Sequence, residues 1–364
     1  MEEKVAIRII TKYLRKGNMA RCLRDVLPSA GLSKKQRAEI AEIVHDVVRW
    51  KRLYEHIIDI QGLPPSAEIF LKLAKQGAQA DATSYPFEHR YSCSAYVASI
   101  LKNHAEWAEF LNETPPTTLC VNFNKTTTDN VISLLQEDSL TVERSVLPTA
   151  VLMTSEGKYS RAVEQHYAHV QDETSQLVSH LTASFGESLF DYCAGNGGKS
   201  LAIASLTYNK KNLYAYEKNE SKRAILRRRC NEYDATVVVE ENLSQKLFDV
   251  VLVDAPCSGL GAARRNPEAK YIQGAGDFPA TQHSILTQAA RNVKEGGILL
   301  YAVCTITPEE TSKVIEKFLS DNAFKPAGFS QYPYEKFLLK DAYGAYTTIP
   351  RGDLFFLSVL QKGQ

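Results

Sequence analysis

From Ala20 to about His104 the apolar residues recur at spacings of three and four, which predicts helices. The best-announced one starts at Ser33, a side chain suited to cap it, with Gln36 three residues on to complete a capping box. Its stripe of Ile40, Ile43, Val44, Val47, Val48 and Trp50 leaves Lys35, Glu39, Glu42 and Asp46 for the wet face. Pro64-Pro65 and Pro115-Pro116 mark turns, and the second pair predicts a boundary near 112. Between Thr117 and Thr154 the pattern changes to an apolar β run (Thr118 to Phe123), an amphipathic helix opened by Thr128-Asp129, and short strands at Thr141-Val142 and Ala150 to Leu152. So short an α+β unit hides little surface alone and is expected to dock on a neighbour.

From about Val170 the chain alternates strand and helix, the sequence sign of a mostly parallel, doubly wound sheet. Strands are predicted at Ser188 to Cys193, Asn212 to Glu217, Thr236 to Glu240, Phe248 to Asp254 and Ile298 to Cys304, with Asp353 to Gln361 as a last strand at the sheet edge. A helix is predicted directly after Cys304, with Thr307 as cap, Pro308 at its first position and Glu310 closing the box. The fold class is therefore α/β, in three parts: helical residues 1–112, a small α+β unit 113–165, and a large α/β domain 166–364.

Composition narrows the picture only a little. Apolar residues make up 44% of 364 and charged residues 23%, the usage of a globular protein with no apolar run near a membrane span. The opening Met-Glu-Glu-Lys lacks the order of a secretory signal, and the seven cysteines contain no C-x-x-C pair, so a reducing cytoplasm and no zinc knuckle are expected; the protein is also expected to be a monomer without a metal. His166-x-x-His169 has no acidic or cysteine partner at ligand spacing and is taken as surface. A net charge of +1 leaves any nucleic-acid contact to local clusters: Lys34, Lys35 and Arg37; Arg49 to Arg52; Arg227 to Arg229; Arg264 and Arg265.

Chemistry concentrates at strand ends. Cys257, in Asp254-Ala255-Pro256-Cys257-Ser258-Gly259, and Cys304 both follow buried-type strands, so both thiols should emerge at the carboxyl edge of one sheet, where α/β proteins bind ligands. Asp191 to Ser200 leaves a strand, turns on glycines and enters a helix. A phosphate loop would need glycine at position 193, where Cys stands, and the dinucleotide pattern would need glycine at 200, where Ser stands. What survives is a bare turn open to close ligand approach, followed one strand later by Glu217, the position of a ribose-gripping acid; together they point to an adenosine-containing molecule.

These residues resemble the RsmB/Nop/Sun family of RNA cytosine-5 methyltransferases. The likeness rests on Val170 to Ser175, Asp191 to Ser200, Asp254 to Gly259, Arg264-Arg265-Asn266-Pro267-Glu268, and Cys304 with Pro308-Glu309-Glu310. Val26 to Ile58 is similar to the NusB-like helical domain of the bacterial ribosomal RNA members. The resemblance implies a Rossmann-like S-adenosylmethionine-dependent methyltransferase domain preceded by a NusB-like domain and a small RRM-like, RNA-binding unit. It further implies Cys304 as nucleophile, Asp254 on the target ring nitrogen and Cys257 in enzyme release. The cofactor would lie along Cys193, Ala194, Gly195, Asn196, Gly197, Gly198 and Lys199, with Glu217 on the ribose, Glu241 near the adenine and Asp254 alongside. Ribosomal RNA is the implied substrate and transfer RNA the alternative, with Arg264, Arg265, Lys34, Lys35 and Arg37 near phosphates. Departures are plain: Ala194-Gly195-Asn196 stands where the family has Ala-Ala-Pro, and Glu241 where it has Asp. Two rival expectations follow, a noncatalytic RNA-binding assembly factor and an enzyme whose nucleophile is Cys257.

Overall fold

The computed structural model describes residues 1–77, 84–154, 160–243, 245–329 and 332–363. These form two compact units, Met1–Thr114 with Ala262–Gly274, and Pro115–Gly261 with Ala275–Gln364.

The first unit is helical. Ser33 caps Lys34–Arg49 through a full capping box, Ser33 Oγ accepting from the Gln36 amide at 3.2 Å and Gln36 Oε1 from the Ser33 amide at 2.9 Å. Ile40, Val44, Val47 and Val48 are buried from its stripe and pack with Ile9, Ile10, Tyr54 and Phe70 of the neighbouring helices. The segment 262–274, remote in sequence, belongs to this unit because Lys270 is buried in it. Its Nζ donates to the carbonyls of Arg49 (2.8 Å) and Tyr91 (3.2 Å) and to Asn112 Oδ1, so three acceptors solvate the ammonium in place of water.

The second unit contains two sheets. The small one is antiparallel, built from β1 (Thr117–Val121), β2 (Val142–Arg144), β3 (Ala150–Met153) and β4 (Ala168–Val170) in the order β2-β3-β1-β4. Leu119, Val121, Val151 and Met153 face Val131 and Leu135 of the helix Thr128–Glu137. The opposite face is covered as well: Ala150 packs with Leu177, Val178 and Leu181, Gln176 Nε2 donates to the Leu119 carbonyl at 3.3 Å, and Ser205 Oγ donates to that of Val121 at 3.2 Å. The four-stranded fold is present, but β1 and β3 are buried on both faces, so it offers bases no stacking platform of the RRM kind.

The large sheet carries the parallel strands β5 (Ser188–Asp191), β6 (Asn212–Tyr216), β7 (Val238–Glu240), β8 (Phe248–Asp254) and β9 (Val293–Val303) in the order β9-β8-β5-β6-β7. From β5 the chain steps to one side and from β8 to the other, so the order reverses between Asp191 and Asp254, where open α/β sheets hold ligands. Antiparallel strands β10 (Phe324–Pro326), β11 (Leu338–Lys340), β12 (Ala345–Thr347) and β13 (Phe356–Lys362) complete it. The last strand is interior, not the edge strand expected: β13 lies between β9 and β12 because β11 and β12, too short to show a sequence period, extend the sheet beyond it.

Candidate functional site

At the switch point the two cysteines meet. Asp254 ends β8 and Cys304 follows β9, whose register pairs Asp254 with Ala302; the intervening turn brings Cys257 Sγ to 3.3 Å from Cys304 Sγ. Lys199, on the first turn of the helix Gly198–Leu206, reaches the same edge and donates to Asp254 Oδ2 at 2.6 Å. Burial works against the Lys199 ammonium, but the Asp254 carboxylate and its anionic neighbours outweigh it and raise its pKa. The Cys304 thiol is pushed well up, first by its hydrogen bond with Cys257, then by burial and by Asp254; Lys199 alone works the other way. The resting site thus holds a protonated Cys304 thiol beside a fixed cation.

The loop from Pro256 to Gly259 is held by Glu310. One of its oxygens accepts from the Ser258 amide (2.8 Å) and from Gln282 Nε2 (2.9 Å), the other from Thr307 Oγ1 (2.8 Å). This corrects the expected capping box: Thr307 and Glu310 do bond, but side chain to side chain, and the helix starts later, at Ser312–Asp321. The carboxyl group is spent on the cysteine loop instead of a helix end, so no helix N-terminus follows Cys304 to help its thiolate. Gly261 completes the support, its amide donating to the Cys304 carbonyl at 3.0 Å and its own carbonyl accepting from the Leu354 amide at 3.1 Å.

The glycine turn has the backbone its sequence announces. Gly195 and Gly197 have φ of 55° and 86°, and the direction a Gly195 side chain would take is open space. Glu217, just past β6, accepts from the Gly195 amide at 2.9 Å with one oxygen and from the Asn219 amide at 2.7 Å with the other. Ala194 bonds back to the Tyr216 carbonyl at 2.9 Å, Gly197 opens the helix that Gly198 and Lys199 begin, and the Cys193 thiol is pushed up by burial. Glu241 lies beyond β7, exposed, with Arg227 at 3.1 Å.

Asp191, not singled out from sequence, sits beneath this turn. It is 1% exposed; Oδ2 accepts from Ser200 Oγ at 2.6 Å, while Oδ1 has no protein partner among the described residues. Burial raises its carboxyl to about 6, Ser200 opposing and Asp254 adding to the effect. A buried, half-satisfied acid beside a bare glycine turn and a carboxyl at the next strand end suits a ligand with a cationic amino-acid or sulfonium part and a ribose. Since the folded state raises this pKa above the ordinary 3.8, folding is favoured while Asp191 is protonated and loses stability as the pH climbs from about 4 to about 6. Asp191→Asn is therefore expected to gain on the order of 2–3 kcal/mol at pH 8 and nothing below pH 4. Chemical denaturation across that range checks it, and a gain independent of pH would refute the assignment.

The basic clusters separate. Lys34 and Lys35 are exposed on the first turn of their helix, and Arg37 Nε is turned back to the Leu32 carbonyl at 3.0 Å. Arg264 is 1% exposed, stacked 3.9 Å from the Phe110 ring and 3.7 Å from Glu113, so it is no phosphate ligand; Arg265 is half-buried. Arg49 is likewise buried and donates to the Arg264 carbonyl at 3.0 Å. Nor is His169 on the surface: it is buried against Gln171 Oε1 at 3.1 Å, and burial pushes it down to about 3. Among the described residues no cluster of metal-ligating side chains occurs, and no helix is long and apolar enough to cross a membrane.

Comparison with known proteins follows the same lines. A family model described as 16S rRNA methyltransferase RsmB/F matches residues 178–360. The probable ribosomal RNA small subunit methyltransferase B of Bacillus subtilis is 30% identical over 228 residues, 58% of this chain and 51% of that protein. The ribosomal RNA small subunit methyltransferase B of Pasteurella multocida is 31% identical over 279 residues, 71% of this chain and 62% of its own length. The chain thus spans less than two thirds of the length of these curated relatives. Among solved structures, PH0851 has a TM-score of 0.75 at 20% identity, covering 98% of this chain and 97% of its own. NSun6 from Pyrococcus horikoshii, solved with SFG, has a TM-score of 0.63 at 16% identity over 74% of this chain and 98% of its own. These likenesses establish the Rossmann-like methyltransferase fold.

Proposed function

Because this chain belongs to the RsmB/F methyltransferase family, we propose that it methylates carbon 5 of a cytosine in RNA, small-subunit ribosomal RNA first, in the cytoplasm, through a covalent bond to Cys304. The observation that carries this reading is the meeting of two sulfurs, 3.3 Å apart, with Asp254 and Lys199 at the carboxyl edge beside the glycine turn. The side chains around that turn fit S-adenosylmethionine, which supplies an activated methyl group when bound. Asp191 Oδ1 would face its cationic part, Glu217 its ribose and Glu241 its adenine.

Carbon 5 of cytosine is too electron-poor to take a methyl group until a nucleophile adds to carbon 6. As Cys304 forms that carbon–sulfur bond its thiol proton passes to Asp254, and Asp254 hands that proton to ring nitrogen 3, where the displaced electron pair arrives. Lys199 keeps Asp254 oriented. After methylation a base removes the carbon 5 proton, the pair re-forms the ring double bond and expels the Cys304 thiolate; Cys257, in contact with that sulfur, assists the release. The target base must be single-stranded or flipped out of its stack. Lys34 and Lys35 are the phosphate contacts this reading retains.

Purified protein incubated with radiolabelled S-adenosylmethionine is expected to label unmodified small-subunit ribosomal RNA in preference to transfer RNA, and bisulfite sequencing to locate the label on a cytosine. Label confined to transfer RNA would move the substrate. No label, with no heat on titration of millimolar S-adenosylmethionine, would favour the noncatalytic assembly factor that the altered turn at Gly195-Asn196 motivates.

A further inference from the structure

The run Arg227-Arg228-Arg229 has the composition of a phosphate patch, but the helix that carries it, Glu220–Glu232, is aimed at the glycine turn. Two of its side chains reach that turn and two reach the ends of the neighbouring strands. Arg229 NH1 donates to the Asn196 carbonyl at 2.8 Å. Arg223 NH1 donates to the Glu217 carbonyl at 2.6 Å. Arg227 NH2 meets Glu241 Oε1 at 3.1 Å. Leu226 fills the space beside Gly197, where a side-chain carbon would strike its Cδ1. Positions 223, 226 and 227 share one side of the helix by their spacing and Arg229 neighbours Leu226 three residues on, whereas Arg228 pairs with Glu232 at 3.5 Å on the exposed side.

We propose that this helix is a clamp for the cofactor site, and that Arg229 is its main positioning residue, anchoring the turn at Asn196. The need follows from the turn itself. Asn196 lies between two glycines in the left-handed region, with no proline in the bend, so little in the local sequence restrains its peptide groups. A charged guanidinium on the Asn196 carbonyl supplies the restraint from outside, at the strength of a charge-assisted hydrogen bond. Arg223 does the same for the backbone of Glu217, whose carboxyl is already fixed by the Gly195 and Asn219 amides. The Arg227–Glu241 pair is more exposed and contributes least. The clamp rests on the cofactor reading given above.

The test compares Arg229→Met, Arg229→Lys and, as a control on the same helix, Arg228→Met. Calorimetric titration with S-adenosylhomocysteine and amide exchange of the cofactor-free protein are the two readouts. Arg229→Met is expected to weaken the cofactor Kd about tenfold or more and to speed exchange across residues 194–198, with little change in Tm. Arg229→Lys should recover much of both, and Arg228→Met should change neither. Wild-type binding with an Arg229→Met Kd within twofold and unchanged exchange overturns the clamp alone. A wild-type protein that binds no S-adenosyl compound overturns the cofactor reading and the positioning role with it.

Discussion

Cys304→Ala is expected to lose methyl transfer by at least about 10³-fold, the order seen when a nucleophile is removed, while binding S-adenosylhomocysteine as the wild type does. Cys257→Ala is expected to behave differently, accumulating a covalent RNA adduct that survives denaturing electrophoresis. The electrostatics of the pair give the reason. The hydrogen bond that the Cys304 S–H gives to Cys257 is the largest influence holding the Cys304 thiol up, ahead of burial, so deleting Cys257 leaves a more acidic thiol with Lys199 still opposite. Attack survives and release does not. Failure of Cys257→Ala to form any adduct, with Cys304→Ala still forming one, would hand the nucleophilic role to Cys257.

The same geometry explains why Lys199 belongs to both halves of the site. It leaves the first turn of the helix that the glycine bend opens, yet its ammonium lies on Asp254, one strand away. One side chain thus ties the helix that follows the bend to the carboxyl group at the end of β8. Arg229 bonds the bend at the Asn196 carbonyl, and Asp191 accepts from Ser200 on the helix that the bend opens.

What the chain announces from its own residues is local. Strand ends, the glycine bend, Glu217 and the two cysteines were legible because each depends on period, on a residue that only a bend needs, or on position after an apolar run. Partners distant in sequence were not. Arg264 and Arg265 look alike as a dipeptide; Phe110 and Glu113, far upstream, are what bury the first. Thr307 and Glu310 satisfy the spacing of a capping box, but Ser258 and Gln282 claim the carboxyl group, and the helix yields. The arginines of Glu220–Glu232 could have been separated only in part by helical spacing: 223 and 227 fall on the side of Leu226 and Cys230, both buried, but the spacing does not place Arg229 there.

Gly261→Ala is expected to cost more than any other glycine replacement near the site. Its backbone φ lies outside the left-handed region, so strain is not the cause; space is. A β-carbon there would be driven onto the carbonyl of Leu354 and within 3.2 Å of the Cys304 carbonyl carbon. Both obstacles are backbone, pinned by the bonds Gly261 itself makes at 3.0 and 3.1 Å, so neither can swing away as a side chain would. Relief requires separating the Cys304 strand end from the Leu354 segment, at a cost of about 3 kcal/mol or more, the upper range for overpacking. Activity should fall further than stability, because the atom displaced is bonded to the Cα of Cys304. Gly259→Ala provides the contrast: its φ is 75° with nothing within 4 Å of the added carbon, so only the left-handed penalty of roughly 1–2 kcal/mol applies. Thermal melts and methyl-transfer rates of the two variants decide the matter, and a Gly261→Ala protein as stable and active as Gly259→Ala would show that the Cys304 carbonyl is not held as described.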